Sequence, residues 1–153
     1  MFQKGIAAVL SLFLLCSCAA PQPKAADADL FHAITETLRT HIDVNEENTK
    51  DLVIKLLQLD ADKTVDAYAA FEGGESLKAA IVIESADEES ALEASESLQY
   101  YRSTLQNLAS QYSPDQAALV DDAYIHTSGV MSILVISEDI PQIKSELADV
   151  LPH

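Results

Sequence analysis

Two cysteines, at positions 16 and 18, are the only thiols in the chain, and their setting points to one reaction. Leu15-Cys16-Ser17-Cys18 closes a short apolar run and reads as a lipobox, the signal for attaching diacylglycerol to Cys18 and cleaving just before it. Lys4 supplies the positive start, Ile6 to Leu15 the apolar stretch, and Ser17 the small residue at the cut. Lipidation of Cys16 instead would place Leu15 beside the cut, in a peptidase pocket that takes a small side chain. Ten residues of helix at about 1.5 Å each reach roughly half of a 30 Å hydrocarbon core, so this run is no transmembrane anchor. After processing, Cys18 is the one cysteine left and its sulfur is a thioether. No disulfide, redox motif or cysteine metal site is then expected. Each buried methylene of the lipid contributes about 0.8 kcal/mol, so two or three chains anchor stably. The expected contact with the membrane is this lipid alone.

Other reactive side chains are scattered. Histidines stand at positions 32, 41, 126 and 153, none at metal-ligand spacing from another. His32 and His41 are expected at or near the surface of a first helix, and His126 on the solvent side of a strand. The stretch from Asp60 to Asp66 looks like the start of a calcium loop. Such a loop needs glycine sixth and glutamate twelfth, where this chain has Val65 and Phe71. No Gly-x-Ser-x-Gly or Ser-x-x-Lys pattern marks a nucleophilic serine, and no glycine-rich loop could cradle phosphate. Arg102 is the one basic residue between Lys78 and Lys144. Set at the border of an apolar helix stripe, it either snorkels to a nearby acid or fixes a carboxylate-bearing partner, with Tyr100 beside it. Arg102, Tyr100 and His126 are therefore the candidate partner-binding residues. No catalytic set, cofactor or metal is implied.

Composition narrows the partners. The formal net charge is −16, from 25 acidic against nine basic residues, and removing residues 1–17 deletes Lys4 and makes the remainder more acidic. Like charge argues against nucleic acid and anionic headgroups as direct partners and favours cationic peptides or basic protein patches. Residues 18–28, with Pro21 and Pro23, read as a tether. Residues 29–153 are one domain's worth of chain, long enough for a core without disulfides.

Periodicity supplies the elements that must position these side chains. Leu30, Ile34, Leu38 and Ile42 repeat every four residues and predict a helix over 27–42. A second helix, capped by Asn48 or Thr49 and reaching Gln58, carries Leu52, Leu56 and Leu59 with Val53 beside them. Alternation over 65–71 and 77–83 around Gly73-Gly74 predicts a hairpin. Ser85 to Glu88 has the spacing of a capping box for a long helix to about Ser110. Its expected inward residues are Ala91, Leu98, Tyr101, Leu105 and Leu108. Pro114 opens a short helix ending near Asp122. Residues 123–127 and 130–137 form a second hairpin around Ser128-Gly129. Ser137 caps a last helix, with Ile140, Ile143, Leu147 and Val150 inward. The fold class is α+β, with helices packed on an antiparallel four-stranded sheet built from two hairpins.

This order resembles the domain of unknown function 4358 family, small lipoproteins common in Gram-positive bacteria. The likeness is carried by the lipobox ending at Cys18, Tyr68 in the first strand and the long helix with Arg102. It continues through Tyr112-Ser113-Pro114-Asp115-Gln116, Gly129 with the strand over 130–137, and Asp139. It spans roughly Thr49 to Leu151, and implies a compartment and a fold but no catalytic residue. The expectation is a lipid-anchored protein on the extracytoplasmic face of a bacterial membrane that binds an envelope protein or peptide. The rival is an envelope hydrolase, cutting peptide or cell wall, whose site is assembled from distant residues. The second hairpin or an exposed sheet face is the expected contact surface, because strand edges offer free backbone groups.

Overall fold

Where side chains alternate with period two, the chain pairs into strands. β1 (Glu46–Asn48), β2 (Thr64–Phe71), β3 (Ala79–Ser85), β4 (Tyr124–Ser128) and β5 (Met131–Ile136) lie in the order β1-β2-β3-β5-β4. Every neighbouring pair is antiparallel. These come from a computed structural model that describes residues 25–44 and 46–152, so the lipobox, Cys18 and His153 lie outside the described residues. Four strands form the two expected hairpins. The fifth, β1, adds to the free edge of β2 through Glu46↔Phe71 to Asn48↔Ala69. Three residues are too few for an alternating signal, so β1 has no signature in the sequence.

The helices are α1 (Ala25–Arg39), α2 (Lys50–Leu57), α3 (Glu88–Tyr112), α4 (Pro114–Asp121) and α5 (Ile140–Val150). α1 begins inside the segment read as tether. It also stops before the expected Ile42, because Thr40 and His41 donate to the Thr37 and Leu38 carbonyls in a tightened final turn. α1 and α5 cover one sheet face, burying Ile34, Leu38, Ile143 and Leu147 against Val82, Ile133 and Val135. α2, α3 and α4 cover the other, where Val53, Leu57, Leu98 and Val120 meet Ala67, Ile81, Ile83 and Leu134. Consequently β3 and β5 are buried along their whole length, and among the described residues helices cover both sheet faces, so neither is the expected open contact surface. Of the two expected surfaces, only the second hairpin remains, with β4 as an edge strand.

Two local expectations change, and one is narrowed. Ser85 does not cap α3, because its N–H is taken by the Val130 carbonyl and it ends β3 in the core. Asp87 caps instead, its Oδ1 accepting from Ser90 N at 2.7 Å. Of the two caps expected for α2, Thr49 is the one found, because Asn48 falls in β1. Ser137 Oγ accepts from Asp139 N at 3.2 Å, but Asp139 itself is the N-cap of α5.

Candidate functional site

The three sequence candidates occupy three different places. His126 is half-buried on β4, stacked on Tyr124 with ring centroids 5.6 Å apart, and Lys144 Nζ of α5 sits 4.8 Å from the Tyr124 ring centre. That cluster is on the α5 side of the sheet. Arg102 faces α4 across a recess of about 180 Å³ shared with Gln106, Asn107, Val120 and Asp121. Asp121 lines this recess, yet among the described residues Arg102 makes no ion pair, contrary to the expected snorkelling contact. Tyr100 points the other way. Two residues along a helix turn the side chain by about 200°, so Tyr100 and Arg102 cannot share a site. His32 is exposed on α1. His41 is not a surface residue: its side chain is buried, with Nε2 2.6 Å from Glu146 Oε2 of α5.

A wider opening lies between α2 and α3. Lys50 Nζ donates to the Val65 carbonyl at 3.0 Å and fixes the start of α2 beside β2. Gln58, in the left-handed region at φ 55°, ends the helix. In that orientation α2 buries Val53 and Leu57, whereas Leu52 and Leu56 stay 50% and 43% exposed. The apolar stripe is thus rotated from the one expected through Leu52, Leu56 and Leu59. On α3, Tyr100 is 73% and Leu108 51% exposed, the latter against its expected inward place.

The space between is an open groove of about 760 Å³, lined by Leu56, Gln58, Glu93, Glu96, Tyr100 and Tyr101 among others. Glu93 holds Lys63 Nζ through both oxygens, at 2.8 and 2.7 Å. That contact raises the Lys63 ammonium above its ordinary pKa. Burial pushes the Tyr101 phenol up, so at neutral pH its hydroxyl keeps its proton and can donate. Ser97 and Thr104 also reach the groove, where among the described residues the titratable side chains lining it are Glu93, Glu96, Tyr100 and Tyr101. The chemistry on offer is apolar contact, aromatic faces and carboxylate charge. Among the described residues, no three His, Cys, Asp or Glu side chains gather as metal ligands, and no helix is long and apolar enough to cross a membrane.

Sequence reasoning missed three side chains. Gln116 Oε1 accepts from Leu77 N at 2.9 Å, tying α4 to the loop before β3. Ser132 is fully buried and donates to the Ala91 carbonyl at 2.8 Å. Glu84 is a carboxylate buried at the end of β3, on the face shared with Val82. Only Gln116 had a signal, as the last residue of a capping stretch. The other two continue apolar strands without marking themselves.

The fold and groove define a mixed α+β domain with helices on both sheet faces. The family described as Domain of unknown function (DUF4358) matches residues 40–137, and the chain belongs to that family. The match runs from the end of α1 through β5, so it includes the groove and the whole sheet and leaves out α5. No curated protein and no solved structure matches the chain.

Proposed function

We propose that this chain is a lipoprotein anchored through Cys18 to the extracytoplasmic face of a bacterial membrane, acting by binding an envelope protein or peptide. The anchor rests on the lipobox alone. The binding role rests on one observation: the opening between α2 and α3 is lined by Leu56, Tyr100 and Tyr101 together with Glu93 and Glu96, while Arg102, Tyr100 and His126 lie apart from one another. A hydrolase needs its acid, base and nucleophile within hydrogen-bond reach of one another, and the separation of those residues disfavours that reading.

Two measurements test it. Cys18→Ala should leave unprocessed precursor that takes up no labelled fatty acid such as palmitate; lipid still attached to that variant would overturn the anchor. Cross-linking of the anchored protein in native membranes should capture a discrete partner. Turnover of peptide or cell-wall substrates, with only background proteins captured, would replace binding by catalysis.

A further inference from the structure

The α2–α3 groove combines features that rarely coincide on a purely solvated surface. Its lining holds the exposed Leu56 of α2 and Tyr100 of α3, with Thr104 one turn beyond; the exposed Leu52 and Leu108 lie one turn further along their helices, outside the lining. Their periodicity predicts burial for the leucines, but the neighbouring helix covers none of them fully. Exposed apolar side chains gathered at one opening, rather than scattered singly, are what a contact surface presents. The groove volume, about 760 Å³, lies within the range that holds several side chains of a ligand.

Charge selects the occupant. Glu93 is already engaged by Lys63, whereas Glu96 forms no ion pair among the described residues and stands beside the Tyr100 ring in the groove. An aromatic face with an adjacent carboxylate attracts an ammonium or guanidinium group. A second copy would bring another net −16 against this rim, and nucleic acid or an anionic lipid surface would be repelled in the same way. Building on the binding role proposed above, we infer that the groove docks a basic amphipathic polypeptide segment. Its apolar side chains pack between Leu56 and Tyr101, and a lysine or arginine rests on Tyr100 and Glu96.

The test uses the full chain and two fluorescent, helix-forming peptides, one of leucine and lysine, the other with glutamate in place of each lysine. Anisotropy should show binding of the lysine peptide alone. Glu96→Lys and Tyr100→Ser should each weaken it about tenfold or more, while Arg102→Ala and His126→Ala leave it unchanged. Leu56→Lys, at a site already partly exposed, should abolish it without unfolding the chain, as circular dichroism would verify. No loss in any of the first four variants would mean diffuse attraction to an acidic surface, and equal loss in all four a site not confined to the groove; either would overturn the groove assignment. Equal binding of the glutamate peptide would overturn the charge argument. Sedimentation showing a dimer that Leu56→Lys dissociates would give the groove to a second copy instead. Capture of a membrane partner whose cross-links map to β4 would sink this inference while leaving the binding role standing.

Discussion

Ser132 fills a fully buried position of β5 and gives its hydroxyl proton to the Ala91 carbonyl on α3, so it ties sheet to helix through a single polar bond. Replacing it by alanine loses that bond, worth about 1 kcal/mol, and the long, weaker contact with Thr127 Oγ1 at 3.4 Å. Leu98→Ala in the same layer should cost about 2–5 kcal/mol, because a cavity is added to the lost transfer energy. Urea midpoints of the two variants would show that ordering or refute it. Carboxylates behave differently. His41 and Gln142 bond to Glu146 and hold its carboxyl below the ordinary value of 4.5. A depressed folded pKa adds stability that is complete above the unfolded value and lost as pH falls through the folded one. Glu146→Gln should therefore lower the urea midpoint near neutrality, with the gap closing below about pH 4.5. A gap that widens on acidification would reverse the assignment. Asp87, also lowered by its bonds to Ser90, should follow the same course when changed to alanine.

Two residues with nearly the same backbone conformation should respond in opposite directions at the ends of elements. Gln58 closes α2 at φ 55°, and Gly129 turns the β4–β5 hairpin at φ 56°. A side chain in that region costs about 1–2 kcal/mol, partly offset by the 0.4–1 kcal/mol that glycine adds to the entropy of the unfolded chain. Gln58→Gly should gain about 0.5 kcal/mol and Gly129→Ala lose about as much, since a Cβ at Gly129 meets nothing within 4 Å. Thermal midpoints moving the same way in both variants would contradict this account. The contrast also explains what was legible beforehand. Gly129 announced its turn, and Pro114 the start of α4. The buried stripe of α2, through Val53 and Leu57, lies one position from the one its periodicity predicts, because five apolar residues in eight leave two helix faces nearly equivalent until β2 selects one. Ser85 lost its capping role to strand pairing with β5, a tertiary competitor that no local spacing reveals. The groove was invisible for the same reason: Leu56 carries the signature of a core residue, and only the placement of α2 leaves it open.

At the scale of the whole molecule the decisive quantity is charge. With 25 acidic and nine basic residues, the folded chain concentrates like charges that the unfolded chain can spread apart. Salt should then stabilise it. Raising ionic strength from about 0.01 to 0.15 M shortens the screening length from about 30 to 8 Å, which removes most repulsion between distant surface carboxylates. The same screening weakens the Lys63–Glu93 and Lys78–Glu138 contacts, both at 2.7 Å. Both lysines have pKa values raised by these partners, so that support is complete below the ordinary lysine range and lost only as pH rises through the raised values. At neutral pH it is therefore fully present, and salt acts against it. Exposed pairs of this kind contribute little individually, whereas the excess of acids acts over the entire surface. The thermal midpoint at pH 7 should rise on adding sodium chloride across this range, and the rise should vanish near the isoelectric point of about 4.3, where the net charge is gone. A midpoint that falls with salt at neutral pH would mean that the two ion pairs outweigh the repulsion. The acidity would then be a set of local contacts, not a field able to draw a basic partner toward the groove.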